Sequence, residues 1–303
     1  MNCIELNNIN KSFGTIKALA DINLNIKKSE FFGLIGPDGA GKTTLIRIIT
    51  TLLIPDNGKV FINGISAFKN FKQMRKIIGY MPGKFSLYQD LSVEENLQFF
   101  ATVFGTTIHE NYHLIEDIYV RLEPFKNRRA GALSGGMKQK LALCCALIHK
   151  PEFLILDEPT TGVDAVSRQE FWEMLNRLKK EGITIVVSTP YMNEANQCDR
   201  VALIQKGKIL QTDTPENIVA SYSKKLYSLK SDKLYESYKL LEKFDKLSAV
   251  HLFGQELHLS TNNNQDTTKI VREFLDKHKI EVKISEIKPI IEDCFMDLML
   301  NDE

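Results

Sequence analysis

Apolar residues alternate with polar ones at Ile22, Leu24 and Ile26, a period of two that predicts a strand with one buried face. A continuous apolar run follows at 31–35, and this second predicted strand leads directly into Gly-Pro-Asp-Gly-Ala-Gly-Lys-Thr-Thr and a helix-period segment over 45–53. Two further runs, FLILDEP at 153–159 and ITIVVST at 183–189, are short and rich in aliphatic residues, with a helical pattern at 168–180 between them. Runs of this kind are strands buried on both faces, the habit of a parallel sheet. From 91 to about 121 the pattern turns helical, opening with Ser92 and Glu95 in capping-box spacing, so a helical insertion is expected inside an α/β domain.

The texture changes after about residue 220. A predicted strand at 225–229 precedes a helix with Leu234, Tyr238, Leu241 and Phe244 on one face, then strands at 249–253 and 257–260 across a Gly254-Gln255 turn. A helix carrying Ile270, Val271, Phe274 and Leu275 follows, then a strand with Val282, Ile284 and Ile287, and Pro289 leads a last helix. The order strand–helix–strand–strand–helix–strand predicts a small ferredoxin-like α+β domain. The expected division is therefore 1–220 and 221–303, with the helical subdomain at about 84–150. A chain of 303 residues has room for two such cores.

The charge balance, 39 Lys and Arg against 38 Asp and Glu, argues against a nucleic-acid binder that works through its overall field. No apolar run approaches the roughly 20 residues of a bilayer span, and the first residues lack a signal-peptide pattern, so a cytoplasmic location is expected. The five cysteines, Cys3, Cys144, Cys145, Cys198 and Cys294, are scattered without CxxC spacing and suggest neither a disulfide framework nor a zinc site. His109 and His113, the one i,i+4 histidine pair, are read as a solvated helix face.

Gly36, Pro37, Asp38, Gly39, Ala40, Gly41, Lys42 and Thr43 fit G-x-x-x-x-G-K-[ST], with Thr44 next, between a predicted strand and a predicted helix. Glycines let backbone N–H groups curl around phosphate oxygens, the helix offers its positive end, Lys42 reaches the β- and γ-phosphates, and Thr43 supplies a hydroxyl to Mg²⁺. The alternative is a Gly-rich turn with an exposed lysine. FLILDEP delivers two carboxylates at a strand's C-terminal edge: Asp157 to hold Mg²⁺ through water, and Glu158 as general base for the attacking water. Without the phosphate loop upstream, the same string would read as an acidic strand-to-loop cap.

Leu133, Ser134, Gly135 and Gly136 then open a helix through Gln139 that runs to His149 and stops at Lys150-Pro151. LSGG between a phosphate loop and a DEP-ending strand resembles the signature of ABC-type ATPases, over roughly residues 1–220. The resemblance implies that this helix N-terminus meets the γ-phosphate of ATP held by an opposite subunit. It also implies that Phe13 stacks on adenine, where the alternative is a core aromatic on the first strand, and that 161–164, with Asp164, crosses the dimer interface.

Two positions depart from the family's pattern. Gly83 stands where a glutamine usually touches Mg²⁺ and the attacking water, and Pro190 where a histidine usually contacts the γ-phosphate; neither can offer the hydrogen bond. Substitution by Lys84 or Gln89, or a shifted loop register, is the alternative. KFSLYQDLSVEENL and STPYMNEA resemble the first ATPase half of tandem multidrug export subunits, and Pro289 to Phe295 resembles a P-x-x-E-D-x-F ending found among them. The expectation is a P-loop α/β ATPase core using ATP and Mg²⁺ on the cytoplasmic face of the inner membrane. It would power export through separate membrane-spanning permease subunits, paired with a second ATP-binding domain, more readily a heterodimer than a homodimer, with its own hydrolytic site degenerate. The alternative is a nucleotide-binding regulatory subunit with no hydrolysis of its own. The cargo is not written in this chain.

Overall fold

The computed structural model describes residues 2–261 and 266–301. The chain divides after Pro215, ahead of the break expected near 220, into two compact units. The first contains β1 (Asn2–Phe13), β2 (Ile16–Lys27), β3 (Phe31–Ile35), α1 (Lys42–Ile49), β4 (Asn57–Ile62), β5 (Ile65–Ser66), α2 (Phe71–Ile77) and β6 (Ile78–Met81). It continues with α3 (Val93–Phe104), α4 (Tyr112–Tyr119), α5 (Gly135–Leu147), β7 (Phe153–Asp157), α6 (Ala165–Lys180), β8 (Thr184–Thr189), β9 (Arg200–Gln205) and β10 (Lys208–Asp213).

Among the described residues, one antiparallel sheet of this unit has the order β2-β1-β4-β5 and a six-stranded sheet the order β10-β9-β3-β8-β7-β6. In the larger sheet β9, β3, β8, β7 and β6 run parallel, and β10 is antiparallel to β9. Every residue of β3, β7 and β8 is buried, which is why these strands read as unbroken apolar runs. One continuous core joins Ile4, Leu6 and Ile22 of the antiparallel sheet to Leu45 and Ile48 of α1 and to Phe32, Leu34 and Ile155 of the larger sheet. Phe31, fully buried and stacked on Trp172 at 5.4 Å between centroids, would cost about 3–5 kcal/mol if cut to alanine.

Three expectations need correction. The helix expected over 45–53 is α1, which starts earlier and ends sooner: Thr51 takes a left-handed φ of 60°, and Leu52 is exposed, so its apolarity does not mark a core face. The helical stretch 91–121 is broken by Gly105, whose φ of 71° caps α3; the capping box is present at the start of α3, with Glu95 N donating to Ser92 Oγ at 3.2 Å and Ser92 N donating to Glu95 Oε2 at 2.7 Å. His109 lies in a turn ahead of α4, so it and His113, both exposed, do not share a helix face.

The second unit begins with α7 (Pro215–Ala220) at the break and contains β11 (Lys225–Lys230), α8 (Leu234–Leu241), β12 (Ala249–Phe253), β13 (Glu256–Thr261), α9 (Thr267–Asp276), β14 (Lys283–Ile287) and α10 (Ile291–Asn301). Its sheet order is β12-β13-β11-β14, antiparallel throughout, the arrangement of a ferredoxin-like fold. Tyr227, Leu229, Leu257 and Leu259 build its core with Leu241 of α8 and Val271 and Leu275 of α9. Alternate strand positions turn polar: Ser228, His258 and Ser260 are buried too, and His258 Nδ1 meets Asp293 Oδ1 of α10 at 2.6 Å. Among the described residues no helix is long and apolar enough to cross a membrane.

Candidate functional site

The segment 36–41 connects the C-terminal end of β3 to the first turn of α1. Gly41 has a φ of 106°, and a Cβ there would lie 2.7 Å from the Ala18 carbonyl oxygen, so only glycine fits where the loop turns into the helix. The Lys42 side chain is 3% exposed, donating to the carbonyl oxygens of Gly36 at 2.8 Å and Pro37 at 3.0 Å and pairing with Glu158 Oε1 at 3.2 Å. It is not the exposed lysine of a plain turn.

Asp157 and Glu158 stand at the C-terminal end of β7, next to β8. Thr43 Oγ1 donates to Asp157 Oδ1 at 3.1 Å, and Ser188 Oγ donates to the same oxygen at 2.6 Å. The Glu158 backbone N–H reaches Ser188 Oγ at 3.0 Å, and Glu158 itself is held at a φ of 50°. A strained residue whose side chain faces the phosphate-loop lysine is aimed by its surroundings rather than by local preference. Burial and, after it, the Asp157 charge push the Tyr80 hydroxyl above its ordinary pKa.

Ser188 was not singled out from the sequence. Its signal there is a Ser-Thr pair closing an otherwise aliphatic buried strand.

Ile16, Ala18, Gly39, Thr44, Glu158 and Lys206 are among the residues lining a cleft of about 360 Å³ over this loop. Phe13 is 51% exposed, which excludes the core-aromatic alternative; it pairs with Ile16 across the β1–β2 turn, and Lys11 Nζ lies 5.7 Å from its ring centre. Thr43 and Asp157 present adjacent oxygen donors, the hard ligand set that Mg²⁺ takes when phosphate oxygens and water complete its shell. Asp38 is exposed and Ala40 buried.

Gly83 lies against the same carboxylate: a Cβ built on it would stand 3.0 Å from the Asp157 carbonyl oxygen and 3.8 Å from Asp157 Oδ2. Gln89 is elsewhere, its carbonyl accepting from Gly131 N at 2.9 Å, and Lys84 is exposed. Pro190 directly follows β8, whose last residue, Thr189, accepts through its carbonyl from Gly36 N at 3.3 Å.

The 133–139 segment sits apart from the phosphate loop, with no hydrogen bond between them among the described residues. Leu133 is buried, and Ser134 caps α5, accepting from Met137 N at 3.4 Å. Gly135 and Gly136 face the start of α6: Cβ atoms there would lie 3.7 Å from the Gly162 carbonyl oxygen and 3.2 Å from Ser167 Oγ. Gln139 is half-buried. Asp164 caps α6, accepting from Ser167 N at 2.9 Å, and that backbone hydrogen bond holds its carboxyl below the usual range.

Residues 19–161 match the ABC transporter family. The chain is 38% identical over 309 aligned positions to the probable multidrug ABC transporter ATP-binding protein YbhF of Escherichia coli K12, covering 98% of this chain and 52% of that protein. It thus spans about half the length of that relative. It is also 38% identical to the ABC transporter ATP-binding protein NatA of Bacillus subtilis, over 68% of this chain and 85% of NatA. Among solved structures, the ATP-binding cassette MJ0796, a post-hydrolysis dimer bound to ADP and Pi, superposes with a TM-score of 0.63 at 28% identity, covering 70% of this chain and 98% of that one.

Proposed function

The chain belongs to the ABC transporter family of ATP-binding proteins, and from that premise we propose that it is the ATPase subunit of an exporter, bound through separate membrane-spanning subunits to the cytoplasmic face of the inner membrane. The observation that carries the reading is one constellation: Lys42, Thr43, Asp157, Glu158 and Ser188 in hydrogen-bond or ion-pair contact where β3, β7 and β8 end. Open α/β sheets bind ligands at the carboxyl ends of their strands.

In this reading residues 36–44 wrap the phosphates of ATP, Phe13 lies under the adenine, and Lys42 exchanges the Glu158 carboxylate for a phosphate oxygen. Thr43 and Asp157 would hold Mg²⁺, which screens phosphate charge when bound. Glu158, released from Lys42, is the base toward water. Leu133, Ser134, Gly135, Gly136 and Gln139 face the nucleotide of a second ATP-binding domain, with Asp164 and its loop at the same interface. The MJ0796 dimer supports this pairing by analogy.

An apolar groove of about 360 Å³, lined by Leu52, Tyr80, Leu87, Phe100, Phe104 and Ala146 among others, opens between the sheet edge at β6 and helices α3 and α5. It borders the loop 83–91, and supports the reading that closure of the two ATPases is passed to the membrane subunits here.

The placement of Gly83 beside Asp157 favours a second, narrower reading: this chain's own site hydrolyses slowly or acts as a nucleotide-binding regulator, while its signature serves a competent site on a non-identical partner. The experiment is calorimetry of a non-hydrolysable ATP analogue with Mg²⁺. Lys42→Ala removes a charge-assisted contact of about 1.5–3 kcal/mol and should weaken binding on the order of tenfold or more. Unchanged affinity would refute the assignment of the loop.

A further inference from the structure

Glu194, in the six-residue 3₁₀ helix Met192–Gln197 after β8, is a carboxylate the catalytic constellation does not use. Its side chain is only 3% exposed. Thr160 Oγ1 donates to it at 2.9 and 3.2 Å, Trp172 Nε1 at 3.2 Å, and Thr189 Oγ1 at 2.5 Å. Arg168 Nε stands 3.7 Å from Oε1, beyond hydrogen-bond range, and has no other partner among the described residues. The same guanidinium donates through Nη2 to the Val163 carbonyl at 3.4 Å and lies over the Tyr191 ring at 4.4 Å.

A buried carboxylate is a poor way to fill space, because its desolvation must be offset by hydrogen bonds and charge. What it does that an apolar side chain cannot is fix several donors in one geometry. The donors here come from segments with different duties. Thr160 lies between Glu158 and the interface loop 161–164, and Arg168 grips that loop at Val163.

Thr189 ends β8. Its carbonyl takes the N–H of Gly36, the first residue of the phosphate loop, and its hydroxyl accepts from Tyr191 N at 3.1 Å, so its two sides bracket Pro190. A displacement of the phosphate loop therefore reaches Thr189, then Glu194, then Thr160 and Arg168. The unsatisfied Arg168 Nε leaves one donor free for a second arrangement. Drawing it from 3.7 Å to about 2.9 Å adds a charge-assisted bond and moves the group that holds Val163. Two discrete arrangements of one packed element are what coupling between sites requires.

We propose that Glu194 is a positioning residue that couples the phosphate loop to the interface loop 161–164, a role that rests on the nucleotide-binding reading above. Trp172, the one tryptophan in the sequence, donates to Glu194 and so reports on it directly. ADP or a non-hydrolysable ATP analogue with Mg²⁺ is titrated into the full chain, with calorimetry and tryptophan emission followed in parallel. Binding is expected to change the emission. Thr189→Val, which removes the hydroxyl at nearly constant volume, should abolish the emission change while calorimetry still detects nucleotide binding, because the Thr189 carbonyl that accepts from Gly36 N is retained.

Thr189→Ser should restore the response, and Glu194→Gln should lose it. Binding without an emission change in the unaltered chain overturns the coupling, as does a response that survives in Thr189→Val or is lost equally in Thr189→Ser. A flat calorimetric trace overturns the nucleotide reading itself, and the coupling with it.

Discussion

If Gly83 is what slows this site, restoring a glutamine there should quicken it. The backbone permits the change: Gly83 does not have a positive φ, and the built Cβ meets the Asp157 carbonyl oxygen at 3.0 Å, so a shift of a few tenths of an ångström suffices. Replacing a glycine lowers unfolded-chain entropy by about 0.4–1 kcal/mol, which offsets that shift, so stability should change little. From this position an amide reaches the Asp157 carboxylate region, since Cβ already lies 3.8 Å from Oδ2.

One positioned donor is worth roughly 10²–10³ in rate. Pro190, read as a second missing contact to the same γ-phosphate, is left unchanged, so the full gain is not expected, and Gly83→Gln should raise the single-turnover rate by about tenfold or more. The assay is ATP hydrolysis with the chain in excess, and Gly83→Ala is the control for backbone effects. Equal rates for the glutamine and alanine variants, or turnover by the unaltered chain at tens per second, would refute the argument.

In an assembly with a competent partner ATPase, Ser134→Arg should abolish most hydrolysis by blocking the partner's nucleotide, whereas Glu158→Gln in this chain should cost little; equal losses would show a symmetric machine. A fragment ending near 220 should remain folded and bind ATP with the affinity of the whole chain, as its core is continuous without the second unit; aggregation or lost binding in calorimetry would refute that independence. His149 is stacked on Phe104 at 3.8 Å and close to Ile78 O at 3.2 Å, and burial, opposed by that hydrogen bond, lowers its pKa to about 4. A depressed folded pKa means that stability is full above about 6.5 and falls as pH drops toward 4, by up to about 3 kcal/mol, and is flat below. Urea midpoints at pH 7.5 and 4.5 measure this, and His149→Gln should flatten the difference.

The phosphate loop, the two carboxylates and the strand–helix–strand–strand–helix–strand order were legible because each is local: a motif, an apolar run, a period. What was not legible depends on long closures. Ser188 and Asp157 are 31 positions apart, Glu194 and Thr160 are 34 apart, and nothing near Ser188 or Glu194 signals the partner. Leu52 misled in the other direction, since apolarity without burial looks the same in a sequence as apolarity within a core. Asp164 carries a duty that spacing did not reveal, capping α6 through Ser167.

The strand that presents the phosphate loop has an order of assembly built into it. β3 is flanked by β8 and β9, and the contacts that seat its entry, Ser29 N to Thr184 Oγ1 and Phe31 N to Asp199 Oδ2, span 155 and 168 positions. β1, β2 and β4 by contrast pair within the first 62 residues. On a ribosome adding roughly 5–20 residues per second, the antiparallel sheet can form while Phe31 to Ile35 waits on the order of ten seconds or more for its neighbours. During that interval an uncharged apolar strand stands without its two flanking strands, and its unpaired backbone edges are open to chaperones or other copies of the chain. The nucleotide site is thus among the last parts of its unit to exist, and its yield during synthesis depends on how that waiting strand is protected.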